Sequence, residues 1–315
     1  MILKTKIKNI SDAKNIFGVL DTNKKLIELI YKTKINIKED SIYTTLIDEK
    51  SYAYLDKLFF HLLNMSNEGI HITNSDIIYI DKLVKSDLEY NISRIYENRK
   101  IICKTFTNKP IYPKTIKQIS YVKMLNTSDL VLCIGPAGTG KTYLAVVDAV
   151  NKLRTNKIKK IILTRPAVEA GENLGYLPGD LKEKIDPYLR PLYDALHETL
   201  GVLQTEALME KQIIEIAPLA YMRGRTLNNA YVILDEAQNT TKGQMKMFLT
   251  RLGFNSKMVI TGDISQVDLP RKEESGLKVA VDKLKGIDEI GIMKFERMDI
   301  VRNPLVQKIV ERFEK

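Results

Sequence analysis

The sequence predicts an α/β protein with a mostly parallel sheet, preceded by a small α+β unit. Three observations carry this prediction. From residue 129 onward, short apolar runs alternate with helical patterns, as in a parallel sheet covered on both faces. Glycine and proline are unevenly spread: residues 1–109 contain two of the 16 glycines, Gly18 and Gly69, and none of the ten prolines. One apolar run ends in a glycine-rich loop that opens a helix, the placement a phosphate-binding turn requires.

In the first part, DTNKKLIELIYKTK sets Leu26, Ile27, Leu29 and Ile30 at helical spacing behind Asp21, a candidate N-cap. KINIKEDSIYTTLI alternates as two short strands around Glu39, Asp40 and Ser41. SYAYLDKLFFHLLNM is an amphipathic helix, and SDIIYIDKLVKSDLEYNISRIYENRK continues helical, with basic residues towards its end. NKPIYPKT then breaks the pattern, because proline fixes φ and disfavours helix just before itself. It divides the chain into a unit of residues 1–109 and a larger one of residues 110–315.

In the second unit DLVLCI (129–134), KKIILT, IIEIAP, YVILD (231–235), KMVITGD and IGIMKF read as strands. TYLAVVDAVNKLR, KEKIDPYLRPLYDALHETL, KGQMKMFLTRL, ESGLKVAVDKLK and PLVQKIVERFEK read as helices, the last with Pro304 in its first turn.

Composition narrows the function classes. A chain of 315 residues, 44% hydrophobic and 28% charged, is long enough for two domains and too apolar to be disordered. Its 49 Lys and Arg against 39 Asp and Glu leave a net charge of +10. That surplus suits a polyanion such as nucleic acid, but it also follows from a lysine-rich composition alone. Cys103 and Cys133 lack a CxxC or histidine neighbour, which excludes a disulfide framework or a zinc site as an organising feature. His61, His71 and His197 are scattered. Without a signal-like start or a run of about 18 apolar residues, a cytoplasmic protein with no membrane partner is expected.

The chemistry concentrates behind DLVLCI. Gly135, Pro136, Ala137, Gly138, Thr139, Gly140, Lys141 and Thr142 satisfy G-x-x-x-x-G-K-[ST] between a strand and a helix. Glycines there let the backbone turn its N–H groups towards phosphates, Lys141 can reach the β and γ phosphates, and the Thr142 hydroxyl can hold Mg²⁺. Downstream, YVILDEAQ puts Asp235 and Glu236 at the carboxyl end of a buried strand, the edge where α/β sheets bind ligands. Asp235 fits a Mg²⁺ ligand, direct or through water, and Glu236 the base or the orienter for an attacking water; paired acids after a strand otherwise serve as a capping turn. KMVITGD ends at Asp263 with Gln266 close behind, placed to sense a γ-phosphate or to sit in a surface turn. Arg302, in DIVRNPL, is a candidate to neutralise charge in the transition state, or an ordinary surface arginine.

The runs GPAGTGKTYLAV, ILTRPAVEAGENLGYLPGDLKEKIDPYLRPLYDAL, APLAYMRGRTLNNAYVILDEAQNTT and KMFLTRLGFNSKMVITGDISQVDLP resemble the PhoH family of bacterial ATPases. The resemblance spans essentially all of residues 110–315, and the region from IFGVLDTNKKLIEL onward is similar to the family's KH-like N-terminal segment. It implies one RecA-like P-loop NTPase domain related to superfamily 1 helicases, with ATP and Mg²⁺ as cofactors. It also implies ring-shaped homo-oligomers such as a hexamer, and a role in RNA metabolism beside an rRNA-processing endoribonuclease. By the same resemblance Gln118, in PKTIKQISYV, reads the adenine, Asp235 and Glu236 are the Walker B acids, and Gln266 is the helicase-like sensor. The chain departs from the family pattern at Asn303, where histidine is usual. Its KH-like segment has Glu39, Asp40 and Ser41 at the expected turn and lacks the GxxG loop that clamps an RNA backbone.

Arg165, Arg190, Arg223 and Arg225 interleave with Tyr176, Tyr188, Tyr193 and Tyr221, a mixture that fits single-stranded binding, although tyrosines along helices also serve the core. The expected function is Mg-ATP hydrolysis coupled to RNA or single-stranded nucleic-acid binding or unwinding. The alternatives are an ATP-gated scaffold for the endoribonuclease and a small-molecule P-loop kinase. A single RecA-like lobe lacks the second lobe of a monomeric motor, so a neighbouring chain would supply Arg302 or Arg251.

Overall fold

The computed structural model describes residues 1–97, 99–166, 181–270, 273–301 and 304–313. The chain divides into two compact units, Met1–Arg99 with Lys114–Ile116 and Val301–Lys315, and Lys100–Pro113 with Lys117–Ile300.

The first unit runs β1 (Ile2–Lys6), α1 (Ile10–Phe17), α2 (Thr22–Tyr31), β2 (Ile35–Lys38), β3 (Ser41–Thr44), α3 (Glu49–Asn67), α4 (Asn74–Lys85) and α5 (Ile92–Glu97). Its three strands form an antiparallel sheet in the order β1-β3-β2, with the expected turn at Glu39 and Asp40 joining β2 to β3. Leu3, Ile16, Ile27, Ile35, Ile42, Leu55 and Phe59 make its core. Asp21 does not cap α2: it lies at φ 59°, and its side chain accepts no bond from the helix. A side-chain cap needs an extended residue, so the left-handed backbone withdraws it. The caps that do form are Asp48, which accepts from Ser51 N at 2.7 Å, and the reciprocal Thr73–Asp76 box at the start of α4.

The second unit opens with a short hairpin of β4 (Cys103–Lys104) and β5 (Pro110–Ile111). There follow α6 (Ile116–Thr127), β6 (Leu130–Ile134), α7 (Lys141–Arg154), β7 (Lys160–Arg165), α8 (Leu181–Leu200), α9 (Val202–Glu210) and β8 (Ile214–Pro218). The remainder is β9 (Ala230–Leu234), α10 (Lys242–Leu249), β10 (Lys257–Gly262), α11 (Gly276–Lys283) and β11 (Ile290–Lys294); α12 (Pro304–Phe313), at the end of the chain, belongs to the first unit. Six strands pair in the order β11-β6-β10-β9-β7-β8, and every pairing is parallel.

Both faces of this sheet are covered, which explains why its strands read as unbroken apolar runs. Alternate residues serve opposite cores. Val131, Cys133, Ile161, Leu163, Tyr231, Ile233 and Val259 face Tyr121 and Leu125 of α6, Val146 and Val150 of α7 and Leu192 of α8. Leu130, Leu132, Ile162, Val232, Leu234, Met258 and Ile260 face Met245 and Phe248 of α10 and Leu277 of α11. Each such buried side chain contributes about 1.5–3 kcal/mol relative to exposure. Cys103 and Cys133 are free thiols inside these layers. Among the described residues, no helix is long and apolar enough to cross a membrane.

One polar cluster interrupts the first of these cores. Asp148 Oδ2 accepts from Lys152 Nζ at 2.7 Å and from Tyr231 Oη at 2.8 Å, and Lys152 also donates to Leu125 O at 2.6 Å. Burial pulls the Lys152 ammonium below its ordinary value, against the pull of Asp148, and pushes the Tyr231 phenol up. Lys152 and Tyr231 therefore both depend on one carboxylate. Asp148→Ala is expected to cost roughly 3–5 kcal/mol, measured by chemical denaturation, because it strands a buried cation. Pairing Asp148→Leu with Lys152→Met is expected to return most of that loss.

Candidate phosphate-binding site

Parallel register places the site. Gly262 lies beside Ile134, and Ile260 beside Leu234, so the chain leaves β6, β10 and β9 at one edge of the sheet. The loop after β6 is held by Gly135 N, which donates to Gly262 O at 3.2 Å. Gly135, Gly138 and Gly140 take φ of 141°, 83° and 83°, values that only glycine adopts without strain. A Cβ on Gly135 would also lie 2.6 Å from Phe295 O, so the loop's first turn presses on the residue after β11. Inside the loop the buried Thr139 Oγ1 donates to Pro136 O at 2.9 Å, and Gln118 Nε2 donates to Thr139 O at 2.9 Å.

Lys141 begins α7 and bends back over the loop, its Nζ donating to Gly135 O at 2.7 Å and Pro136 O at 2.9 Å. Burial lowers the Lys141 ammonium from its ordinary value, while Asp263, Asp235 and Glu236 work against that shift. Thr142 Oγ1 donates to Asp235 Oδ1 at 2.6 Å, and Thr261 Oγ1 reaches the same oxygen at 2.7 Å. These are hard oxygen donors with a single carboxylate, the set Mg²⁺ takes when phosphates and water complete its shell. Among the described residues, no group of three His, Cys, Asp or Glu side chains is placed to hold a metal ion by itself.

Glu236 follows at φ 52°, its Oε1 3.4 Å from Arg165 Nη2 and its Oε2 accepting from Gln238 Nε2 at 2.6 Å. Past β10, Asp263 accepts from Ser265 Oγ at 2.6 Å and from Gln266 Nε2 at 3.0 Å. A loop of backbone N–H groups, a lysine, a threonine–aspartate pair and a further glutamate thus share one edge of the sheet.

The family described as PhoH-like protein matches residues 110–314. A PhoH-like protein of Bacillus subtilis is 56% identical over 316 residues, covering 100% of this chain and 98% of that one. The chain belongs to the PhoH family. The Protein PhoH of Escherichia coli is 45% identical over 206 residues, covering 65% of this chain and 58% of its own. A solved SWI2/SNF2 ATPase core of Sulfolobus solfataricus in complex with dsDNA aligns at 14% identity with a TM-score of 0.31, over 46% of this chain and 31% of that one. That likeness bears on neither ligand nor mechanism.

In this PhoH chain Thr142 is joined to Asp235, Lys141 to the loop carbonyls and Gln266 to Asp263, while two further residues expected at the site stand differently. Gln118 is 5% exposed and braces the loop through Thr139. Arg302 lies outside the described residues, as do Asn303, Tyr176 and the side chain of Tyr188. The other basic and aromatic residues separate. Arg225 is committed to a two-pronged pair with Glu215 at 2.5 and 2.7 Å, which raises its guanidinium further. Arg251 is tied to Met247 O, Arg225 O and Thr250 Oγ1, so it holds neighbouring turns together. Arg190, Arg223 and Tyr221 are exposed, whereas Tyr193 packs against the core beside His197.

Sequence reasoning missed Thr261 and Gln238. Thr261 could have been noticed as the one hydroxyl at the end of the apolar run KMVITGD, whereas Gln238 in DEAQ carries no signal without its partners. Gly135→Ala in this PhoH chain is expected to cost more than about 1 kcal/mol in chemical denaturation, through its φ and the Phe295 contact.

Proposed function

We propose that this PhoH-family chain binds ATP with Mg²⁺ at the loop of residues 135–142 and hydrolyses it, coupling turnover to RNA or single-stranded nucleic acid. The observation that most supports this is the 2.6 Å bond between Thr142 Oγ1 and Asp235 Oδ1, which joins the loop's hydroxyl to the carboxylate that would share its metal. Mg²⁺ held by Thr142 and Asp235 would neutralise charge on the β and γ oxygens.

The remaining roles follow from the side chains themselves. Lys141 exchanges two neutral carbonyl acceptors for phosphate oxygens, a stronger charge-assisted bond. Glu236 accepts the proton of the attacking water, and a water-activating acid beside Asp235 favours hydrolysis over transfer to a hydroxylated acceptor. Gln266, held on the Asp263 turn, is the proposed sensor of the γ-phosphate. Gln118 steadies the loop and, on the family resemblance, reads the adenine. Arg302 is proposed on the same resemblance to neutralise charge in the transition state. For nucleic acid, exposed Arg223 and Tyr221 offer the charge and the stacking face that single strands use. Ring-shaped homo-oligomers and association with an rRNA-processing endoribonuclease in the cytoplasm complete the proposal.

Phosphate release at saturating Mg-ATP is expected to fall by roughly 10²–10⁴-fold in Glu236→Gln, with nucleotide affinity retained. Lys141→Ala is expected to lose affinity or turnover. Near-normal turnover in Glu236→Gln would remove Glu236 as the base, and ADP formation only with a hydroxylated acceptor would make the chain a kinase. RNA or single-stranded DNA is expected to stimulate turnover, and the stimulation should fall steeply as salt rises, because phosphate contacts release counterions. Stimulation indifferent to salt, or none with either polymer, would overturn the nucleic-acid half.

A further inference from the structure

We infer that Gln238 is a positioning residue of this site: its amide fixes the Glu236 carboxylate and ties it to the turn that carries Gln266. The inference rests on the proposed role of Glu236 as the base.

Gln238 is 1% exposed, so its amide must find partners inside the protein. Both ends do. Nε2 donates to Glu236 Oε2 at 2.6 Å, and Oε1 accepts from Asp263 N at 3.0 Å. A carboxylate at one end and a main-chain N–H at the other allow one orientation of the amide only, since an amide oxygen against Glu236 would set acceptor against acceptor. The approach is close enough to require glycine at the neighbouring position: a Cβ on Gly262 would sit 2.7 Å from Gln238 Oε1.

The connection continues past β10. Asp263 holds Gln266 Nε2 at 3.0 Å, and Ser265 by its backbone N at 3.0 Å and its Oγ at 2.6 Å. Three consecutive hydrogen bonds therefore run from Glu236 through Gln238 and Asp263 to Gln266. A movement of the turn at 263–266 is felt at Glu236 through a buried amide with no spare freedom. The other carboxylate oxygen is left with Arg165 at 3.4 Å, a longer contact that holds it less firmly. Gln238 thus decides the direction in which the glutamate's free lone pairs point.

The test uses the full-length chain with Gln238→Met, which removes both bonds, and Gln238→Glu, which keeps the shape and the Asp263 contact but loses the donor. Phosphate release is followed at saturating Mg-ATP, alongside binding of a fluorescent ATP analogue with Mg²⁺. Both variants are expected to lower kcat by roughly 10–10²-fold through misplacement of the base. Nucleotide affinity should stay within about 3-fold, the signature of an interaction used in turnover and not in binding.

Unchanged kcat, or kcat and affinity falling together, would overturn the inference. If Gln238→Met fails to fold, Gln238→Glu decides on the same readings. Glu236→Gln separates the two levels. Normal turnover in it sinks the base itself, whereas an inactive Glu236→Gln beside Gln238 variants of normal kcat sinks only the positioning role.

Discussion

Everything at the candidate site hangs from the ladder that joins β6, β10 and β9. The three strands run parallel and leave the sheet at the same edge, Gly262 against Ile134 and Ile260 against Leu234. A one-residue slip in either pairing would turn every side chain to the opposite face and break both cores, so burial on both sides pins the register. Register in turn sets chemistry. Thr142 and Asp235, 93 residues apart in sequence, meet at 2.6 Å only because β6, which leads into the loop before Thr142, and β9, which Asp235 follows, leave the sheet at the same edge.

The same edge concentrates charge in a poorly solvated place. Lys141, Asp235 and Asp263 are each less than a tenth exposed, and Glu236 stands beside them. Such groups persist because each is engaged: Lys141 with two loop carbonyls, Asp235 with two hydroxyls, Asp263 with Ser265 and Gln266. The engagements also orient the oxygens that a phosphate and its metal would need. Distant burial plays a quieter part, since the Asp148–Lys152–Tyr231 cluster locks α7, the helix that Lys141 begins, onto β9, the strand that Asp235 follows.

Much of this was legible in the chain. The six apolar runs and the helices between them could be read because a sheet buried on both faces needs continuous hydrophobic segments, and the loop 135–142 because glycine, lysine and threonine at that spacing serve few other ends. Less was legible where polar residues are buried. In β1 the inward positions are Leu3 and Thr5, and in α6 they are Gln118, Tyr121 and Leu125, so neither element has a clear apolar period. Asp21 looked like a cap by residue type, but capping depends on a backbone angle that its neighbours impose. The tyrosines and arginines between 165 and 225 were indistinguishable by composition, yet Arg225 is committed to Glu215 while Arg223 is exposed.

The sequence alone determined the class of fold, the family and the glycine-rich loop of residues 135–142, because these depend on local spacing and on hydrophobic periods that neighbouring residues carry together. The tertiary structure decided who holds whom: Thr261 on Asp235, Gln118 on Thr139, and Gln238 between Glu236 and Asp263. Hydrogen-bond partners drawn from separate strands have no spacing rule, since their meeting depends on strand order and register. Here β10 lies between β6 and β9, although it follows both in the chain.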